Sequence, residues 1–196
     1  MSEKNSGSFI PLPSETMRAE IGRILALWSY VEQRFDHLVL SEVVFEGVSS
    51  GKIDERVSKL MTTPIPVKMR AFRAALSRGN SKHRLTVSMV ENTFQRMARL
   101  KEMRDLLAHG TLTFSMSDDN GIMTDRLQVL HMRFNTPKNI LNPVNKEIDL
   151  GALRKTSAEV EILIWEFFDL GMGRKPFSKG SVSFDASRSP PTARIK

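Results

Sequence analysis

The fold of this chain is decided by residues 14–38, which read SETMRAEIGRILALWSYVEQRFDHL. Apolar residues recur there at intervals of three and four positions, and this spacing predicts a long helix with one continuous apolar stripe. The stripe consists of Met17, Ile21, Ile24, Trp28, Val31, Phe35 and Leu38. Ser14 is a favourable N-cap residue and Glu15 follows it, so we expect the helix to begin there. Three more apolar residues widen the stripe, so we expect two neighbouring elements to flank this helix.

The same periodicity predicts further helices along the chain. They are expected at residues 54–61, 67–76, 82–108 and, after a cap at or near Asp149, up to about Leu170. In the second of these, the residues directed inwards are expected to be Met69, Phe72, Ala75 and Leu76. Glycine and proline interrupt the pattern at Gly47–Gly51 and at Thr63–Pro66, so we expect breaks between helices there.

The pattern changes after Gly110, which is expected to stop the third of these predicted helices. Residues 111–116 alternate between apolar and polar, and Asp118-Asp-Asn-Gly121 supplies the residues of a hairpin turn. Strand-like residues return at 127–134. The predicted fold class is therefore mainly α: an antiparallel helical bundle with a β-hairpin, at about 111–135, inserted before the last helix.

The basic charge is concentrated at one end of the chain. The 196 residues carry a formal net charge of +7. Most of it lies beyond Gly171, where six basic residues face Asp185 alone. We expect a flexible leader at residues 1–13, one folded domain at 14–172 and a basic, disordered tail at 173–196. The tail is either a contact for a nucleic-acid backbone or a solvated terminus.

Composition excludes several classes of site. The chain has no cysteine, which removes disulfides, thiolate nucleophiles and cysteine-bound zinc. The four histidines are scattered, and no glycine-rich phosphate loop occurs, so we expect neither a metal ion nor another cofactor. No apolar run is long enough to span a bilayer, and the polar N-terminus does not resemble a secretory signal. A cytoplasmic protein without membrane contact is expected.

The residues most indicative of function are Arg104-Asp-Leu-Leu-Ala-His109-Gly110, at a predicted helix end. An arginine is always charged and a histidine titrates near neutrality, so the pair can cleave RNA without a metal ion. Five positions along an ideal helix leave the two side chains about 140° apart. Arg104 and His109 therefore share a face only if the last turn loosens at Gly110.

In these residues the chain resembles the HEPN superfamily, the higher eukaryotes and prokaryotes nucleotide-binding domains. Its signature is an arginine, a polar residue, three further positions and a histidine, matched here from Arg104 through Asp105 to His109. The helix that carries Trp28-Ser-Tyr-Val-Glu32 is similar to the opening helix of short prokaryotic members. The resemblance implies an all-α bundle and a metal-independent ribonuclease, homodimeric, with both motifs lining one cleft. It also implies a defence or toxin–antitoxin effector controlled by an antitoxin or sensor partner.

Physical roles can be assigned to the candidate catalytic residues. His109, with an unperturbed pKa of about 6.5, suits the base that removes the 2′-hydroxyl proton of RNA. Arg104 suits the cation that stabilises charge on the phosphorane, and Asp105 and Glu32 can orient either group. The structural alternatives are a histidine that caps the helix, an arginine on a solvated face and an exposed or capping Glu32.

A second basic stretch surrounds the turn after residue 76. Arg70, Arg73, Lys82 and Arg84 are candidate contacts for an RNA backbone, and a solvated face is the alternative. Trp28 is interpreted as a core residue rather than a platform for stacking bases. Besides the ribonuclease, two readings stay open: an inactive RNA-binding or partner-binding subunit, and a helical dimerisation protein.

Overall fold

The computed structural model describes residues 13–44, 53–79, 81–119, 122–131 and 144–176. The described part is mainly helical, with a three-stranded antiparallel sheet before the last helix, which confirms the predicted fold class. Its helices are α1 (Glu15–Val39), continued by a π-helical turn (Leu40–Val44), α2 (Ile53–Met61), α3 (Ile65–Ser77), α4 (Val87–His109) and α5 (Leu150–Gly171). Its strands are β1 (Thr111–Asp119), β2 (Ile122–His131) and β3 (Val144–Asp149). None of these helices is both long and apolar enough to cross a membrane.

Helix α1 forms as its periodicity predicts. The Ser14 hydroxyl accepts a hydrogen bond from the backbone N–H of Met17 at 3.3 Å, which satisfies a free donor of the first turn. Every residue of the predicted stripe is buried, and so is Val39. The stripe therefore faces the interior along the whole helix.

One end of the α1 stripe belongs to a core made of helices alone. Phe35 lies at its centre, with its ring 5.5 Å from that of Phe94 on α4 and 5.4 Å from that of Phe167 on α5. The ring centre of Phe72 on α3 lies 5.5 Å from that of Phe94. These aromatic contacts join four helices at one point, and we refer to this cluster as the helical core.

The other end of the stripe packs against the sheet. The sheet has the order β1-β2-β3, with Leu127 of the central strand opposite Ile148 of β3. The cluster, here called the sheet core, contains Met17, Ile21, Ile24, Leu106, Leu107, Leu127, Val129, Ile148 and Leu153. The sheet thus covers the N-terminal half of α1 and the C-terminal end of α4.

Ion pairs between helices show the direction of each helix. Arg99 and Arg96 of α4 pair with Glu159 and Glu166 of α5, at 2.6 and 3.4 Å, so these two helices are antiparallel. Arg23 of α1 pairs with Glu161, and Phe35 contacts Phe167 further along both helices, so α1 and α5 run parallel. Helix α4 is therefore antiparallel to both α1 and α5.

Two helix boundaries differ from the prediction by more than one residue. Helix α3 begins at Ile65 rather than Val67, because Pro66 occupies the first turn, where its missing N–H costs no hydrogen bond. Helix α4 begins at Val87 rather than Lys82. The preceding residues form a loop, in which Arg84 has a φ of 56°, a left-handed conformation that no α-helix continues through.

The region of the predicted hairpin contains one strand more than expected. Strands β1 and β2 pair as predicted, from Thr111 opposite Leu130 to Asp119 opposite Ile122. Strand β3 was not predicted, because Val144–Asp149 shows only a weak alternation of apolar residues. Most of the predicted leader and tail, the break at residues 47–51, residues 120–121 of the turn and residues 132–135 lie outside the described residues.

Gly110 ends α4 for a different reason from the one expected. Its φ of −76° and ψ of 149° are open to any residue, so no left-handed cap requires glycine here. A Cβ atom would instead lie 2.4 Å from the Leu106 carbonyl oxygen and 2.5 Å from Cγ1 of Val129. The lack of a side chain allows α4 to pass directly into β1 against the sheet.

We expect Gly110→Ala to lower the free energy of unfolding by about 1–3 kcal/mol, because its methyl group overlaps a carbonyl and a packed valine. Gly22→Ala is the matched control, since a Cβ atom at this exposed position of α1 meets nothing within 4 Å. It should raise stability by about 0.5–1 kcal/mol through the better helix propensity of alanine. Urea unfolding measures both, and equal stability of the two variants would contradict the proposed overlap.

Candidate functional site

The residues of the motif occupy the last two turns of α4. His109 is the final helical residue, and the Gly110 N–H donates to the Leu106 carbonyl at 2.9 Å. This bond has the ordinary α-helical spacing, so the last turn does not loosen. Arg104 and His109 therefore remain about 140° apart around the helix axis.

Arg104 is held between two carboxylates. Its Nη1 donates to Asp105 Oδ1 at 3.0 Å, and its Nη2 lies 3.8 Å from Glu32 Oε1 on α1. The same Glu32 oxygen accepts a hydrogen bond of 2.8 Å from the indole Nε1 of Trp28. Because Trp28 is 1% exposed, it fixes Glu32, and Glu32 in turn meets Arg104 across the two helices.

Asp105 also accepts a hydrogen bond from Lys101, one turn earlier on α4. Partial burial alone would raise the pKa of the Asp105 carboxyl. The hydrogen bonds and charges of Lys101 and Arg104 outweigh that effect and hold this pKa below its usual range. Asp105 is therefore a stable carboxylate that accepts from two cations at neutral pH.

His109 stands apart from this network. Its side chain is exposed, and within the described residues it makes no hydrogen bond or ion pair. It follows Asp105 by four positions, and Asp105 follows Lys101 by four, so the three share one stripe of α4 that is partly exposed. Asp105 thus lies between Arg104 and His109 around the helix. The His109 imidazole is free to approach a ligand, whereas two carboxylates hold the Arg104 guanidinium in position.

The four candidate RNA-binding residues have different surroundings. Arg73 donates to both oxygens of Glu91, at 3.0 and 3.1 Å, and its guanidinium carbon lies 5.1 Å from the centre of the Phe94 ring. This residue joins α3 to α4. Arg70, Lys82 and Arg84 have exposed side chains. None of the contacts described above places any of these four residues next to Arg104.

Two members of the Arg104 network were missed in the sequence. Lys101 precedes Asp105 by four positions, a spacing that predicts an ion pair on a helix. Trp28 precedes Glu32 by four, and a buried indole N–H requires an acceptor, so this bond also had a signal. Among the described residues, no three histidine, aspartate or glutamate side chains lie close enough together to hold a metal ion.

Comparison with known proteins adds no relative to these observations. No protein-family model matches the chain, and no curated protein or solved structure matches it either.

We expect Asp105→Asn to lower the free energy of unfolding at pH 7 by about 0.5 kcal/mol, since the ion pairs are partly exposed and screened. A pKa that folding lowers contributes stability above its unfolded value of about 3.9, and this stability is lost as the pH falls through the folded value. The difference from wild type should therefore vanish in acid. Glu102→Gln, an exposed neighbour on α4, is the control and should show little difference at any pH. Urea unfolding between pH 7 and pH 3 measures this, and a pH-independent difference would contradict the pairing.

Proposed function

We propose that this chain is a metal-independent endoribonuclease of HEPN type. The observation that carries the proposal is the arrangement at the end of α4. Glu32 and Asp105 hold Arg104 there, and the same helix end exposes His109. The helical bundle and the spacing of Arg104, Asp105 and His109 agree with the resemblance to that superfamily.

In the proposed reaction, the ribose 2′-oxygen attacks the adjacent phosphorus while the bond from phosphorus to the 5′-oxygen breaks. His109 takes the proton from the 2′-hydroxyl, and the leaving 5′-oxygen gains a proton from a second acid or from water. Arg104 stabilises the negative charge of the phosphorane. Asp105 and Glu32 act as positioning residues, since they contact Arg104. The products end in a 2′,3′-cyclic phosphate and a 5′-hydroxyl.

A homodimer is part of this proposal for a geometric reason. Because Arg104 and His109 point about 140° apart on a regular helix, one copy directs them to different sides of α4. Two copies that place their α4 ends together would line one cleft with both groups. The active form is therefore a dimer, and a monomer should cleave RNA poorly.

The biological setting follows from the proposed activity. An unregulated ribonuclease damages its own cell, so the enzyme requires an antitoxin or a sensor as a partner protein. The expected substrate is single-stranded or loop RNA in the cytoplasm. A role as an effector in phage defence or in a toxin–antitoxin pair fits this combination.

One observation favours a second candidate function. The charge of Arg104 is already matched by two carboxylates, which reduces its capacity to stabilise a phosphorane. The same fold would then serve as an inactive subunit that binds RNA or a protein partner. Exposed Arg70, Lys82 and Arg84 would supply contacts to the RNA backbone.

The decisive experiment is cleavage of labelled RNA in the presence of EDTA. We expect His109→Ala to reduce the rate about 10²–10⁴-fold through loss of the base. Arg104→Gln should reduce it about 10²–10³-fold through loss of charge stabilisation. Arg18→Gln, which removes the same charge from an exposed position about 21 Å along α1 from Glu32, should cleave as wild type does.

Two further measurements complete this test. Treatment of the fragments with acid and then phosphatase shows whether they end in a cyclic phosphate, and size-exclusion chromatography reports the dimer. EDTA-resistant cleavage that His109→Ala retains in full would overturn the proposal. RNA binding without cleavage, weakened by salt and unchanged in Arg104→Gln, would support the inactive subunit instead.

A further inference from the structure

A cavity of about 250 Å³ lies where the end of α1, the loop before α4 and the end of α5 meet. Four of its lining residues are cations or histidines, namely Arg34, His37, Lys82 and His83, and none of its lining residues is acidic. The remaining wall is largely apolar and includes Phe168 of α5 and Met172, the residue that follows this helix. The motif on α4 does not line this cavity, so it is separate from the proposed ribonuclease site.

A buried carboxylate holds His83 at the cavity wall. Glu42 lies in the π-helical turn after α1 and is only 3% exposed. Its two oxygens accept the backbone N–H groups of Lys82 and His83, at 3.1 and 3.0 Å, and Glu42 Oε1 also bonds to Nδ1 of the His83 ring. Since Glu42 occupies Nδ1, Nε2 is the ring nitrogen left for a ligand.

Unusual backbone geometry surrounds the same histidine. The π-helical turn directs Glu42 inwards, and Arg84, the next residue after His83, has a φ of 56°. Gly173, after the end of α5, has a φ of 68°, and a Cβ atom there would lie 2.8 Å from the His83 carbonyl oxygen. A left-handed conformation at a residue other than glycine, such as Arg84, persists only where the surrounding structure enforces it, and the lack of a side chain at Gly173 allows the close approach to His83.

Three of the four basic side chains that line the cavity lack an acidic partner within the described residues, the exception being His83, which Glu42 holds. Within the described residues, no carboxylate pairs with Arg34, His37 or Lys82. The guanidinium carbon of Arg34 lies 5.8 Å from the centre of the Phe168 ring. The carbonyls of Asp169 and Leu170, at the end of α5, already accept backbone N–H groups of the cap that ends the helix.

We propose that this cavity binds a small phosphate monoester that carries an aromatic ring. Arg34 approaches from α1 and Lys82 from the loop before α4, and a phosphate group offers several terminal oxygens to receive them. The phosphate accepts hydrogen bonds from Arg34 and Lys82, one proton is shared between a phosphate oxygen and Nε2 of His83, and the ring packs on Phe168 and Met172. The volume lies just below the usual range for ligand pockets, which fits a ligand of this size.

Phenyl phosphate is the probe, because it joins the two required features in one small molecule. Methyl NMR of the protein labelled at methionine reports where it binds. The Met172 methyl, at the cavity, should shift in a saturable way, and the exposed Met61 methyl of α2 should not. Inorganic phosphate, which lacks the ring, and phenol, which lacks the charge, should each bind more weakly.

Charge-removing variants test the contacts. Arg34→Gln should weaken the binding of phenyl phosphate about tenfold, the loss expected for one partly exposed charged hydrogen bond. Arg18→Gln removes the same charge from the same helix, about 24 Å away, and should bind as wild type does. Lys82→Gln, in the exposed loop, provides a second variant if Arg34→Gln folds poorly.

Several outcomes would overturn the assignment. One is a Met172 methyl that does not respond to phenyl phosphate. Another is equal affinity in the Arg34→Gln, Lys82→Gln and Arg18→Gln variants. Phenol that binds as tightly as phenyl phosphate would remove the role of the cations, and inorganic phosphate that does so would remove the role of the aromatic wall.

Discussion

Burial of a single stripe on α1 is the constraint on which both cores depend. Met17, Ile21 and Ile24 close the sheet core, whereas Trp28 and Phe35 belong to the helical core. Each large side chain buried in this way contributes about 1.5–3 kcal/mol, so the stripe fixes α1 against α4 and α5. The two cores meet beside Trp28, and its indole N–H binds the carboxylate that faces the motif arginine. The same packing that stabilises the fold therefore positions a candidate functional group.

The motif combines one fixed group and one free group. Arg104 is restrained by Glu32 on another helix and by Asp105 beside it, so its orientation needs little further ordering when a ligand arrives. The same carboxylates compete with a phosphate for the positive charge of Arg104, which reduces the benefit of its fixed orientation. His109, at the exposed helix end, has no such restraint within the described residues. A second copy that excludes water from this surface would strengthen the interaction of Arg104 with a phosphate. It would at the same time order the His109 imidazole.

Local patterns predicted what local forces determine, and long-range contacts account for the rest. The helix that starts at Ser14 follows from its cap and its stripe, both of which are visible in the sequence. The start of α4 was misplaced because Glu42, forty positions earlier, takes the backbone N–H groups of the residues before Val87. Strand β3 was missed because Ile148 is its one residue in the sheet core, which leaves no clear period of two. Glu32 was named as a residue that can orient Arg104 or His109, and it lies near Arg104, although no spacing within α4 indicates this contact.

Ion pairing determines which basic residues of the described chain can still bind an anion. The basic stretch that begins at Arg70 looks uniform in sequence, yet its members have separate roles. Arg73 is matched by Glu91 and stacked on a phenylalanine, so it serves the packing of α3 on α4. Lys82 has only its backbone N–H bound, by Glu42, and it lines the same cavity as Arg34, which has no ion pair within the described residues. An anion binds to positive charge that the protein has not already neutralised. The net charge therefore indicates a candidate class of ligand, and the ion pairing of individual basic residues indicates where it can bind.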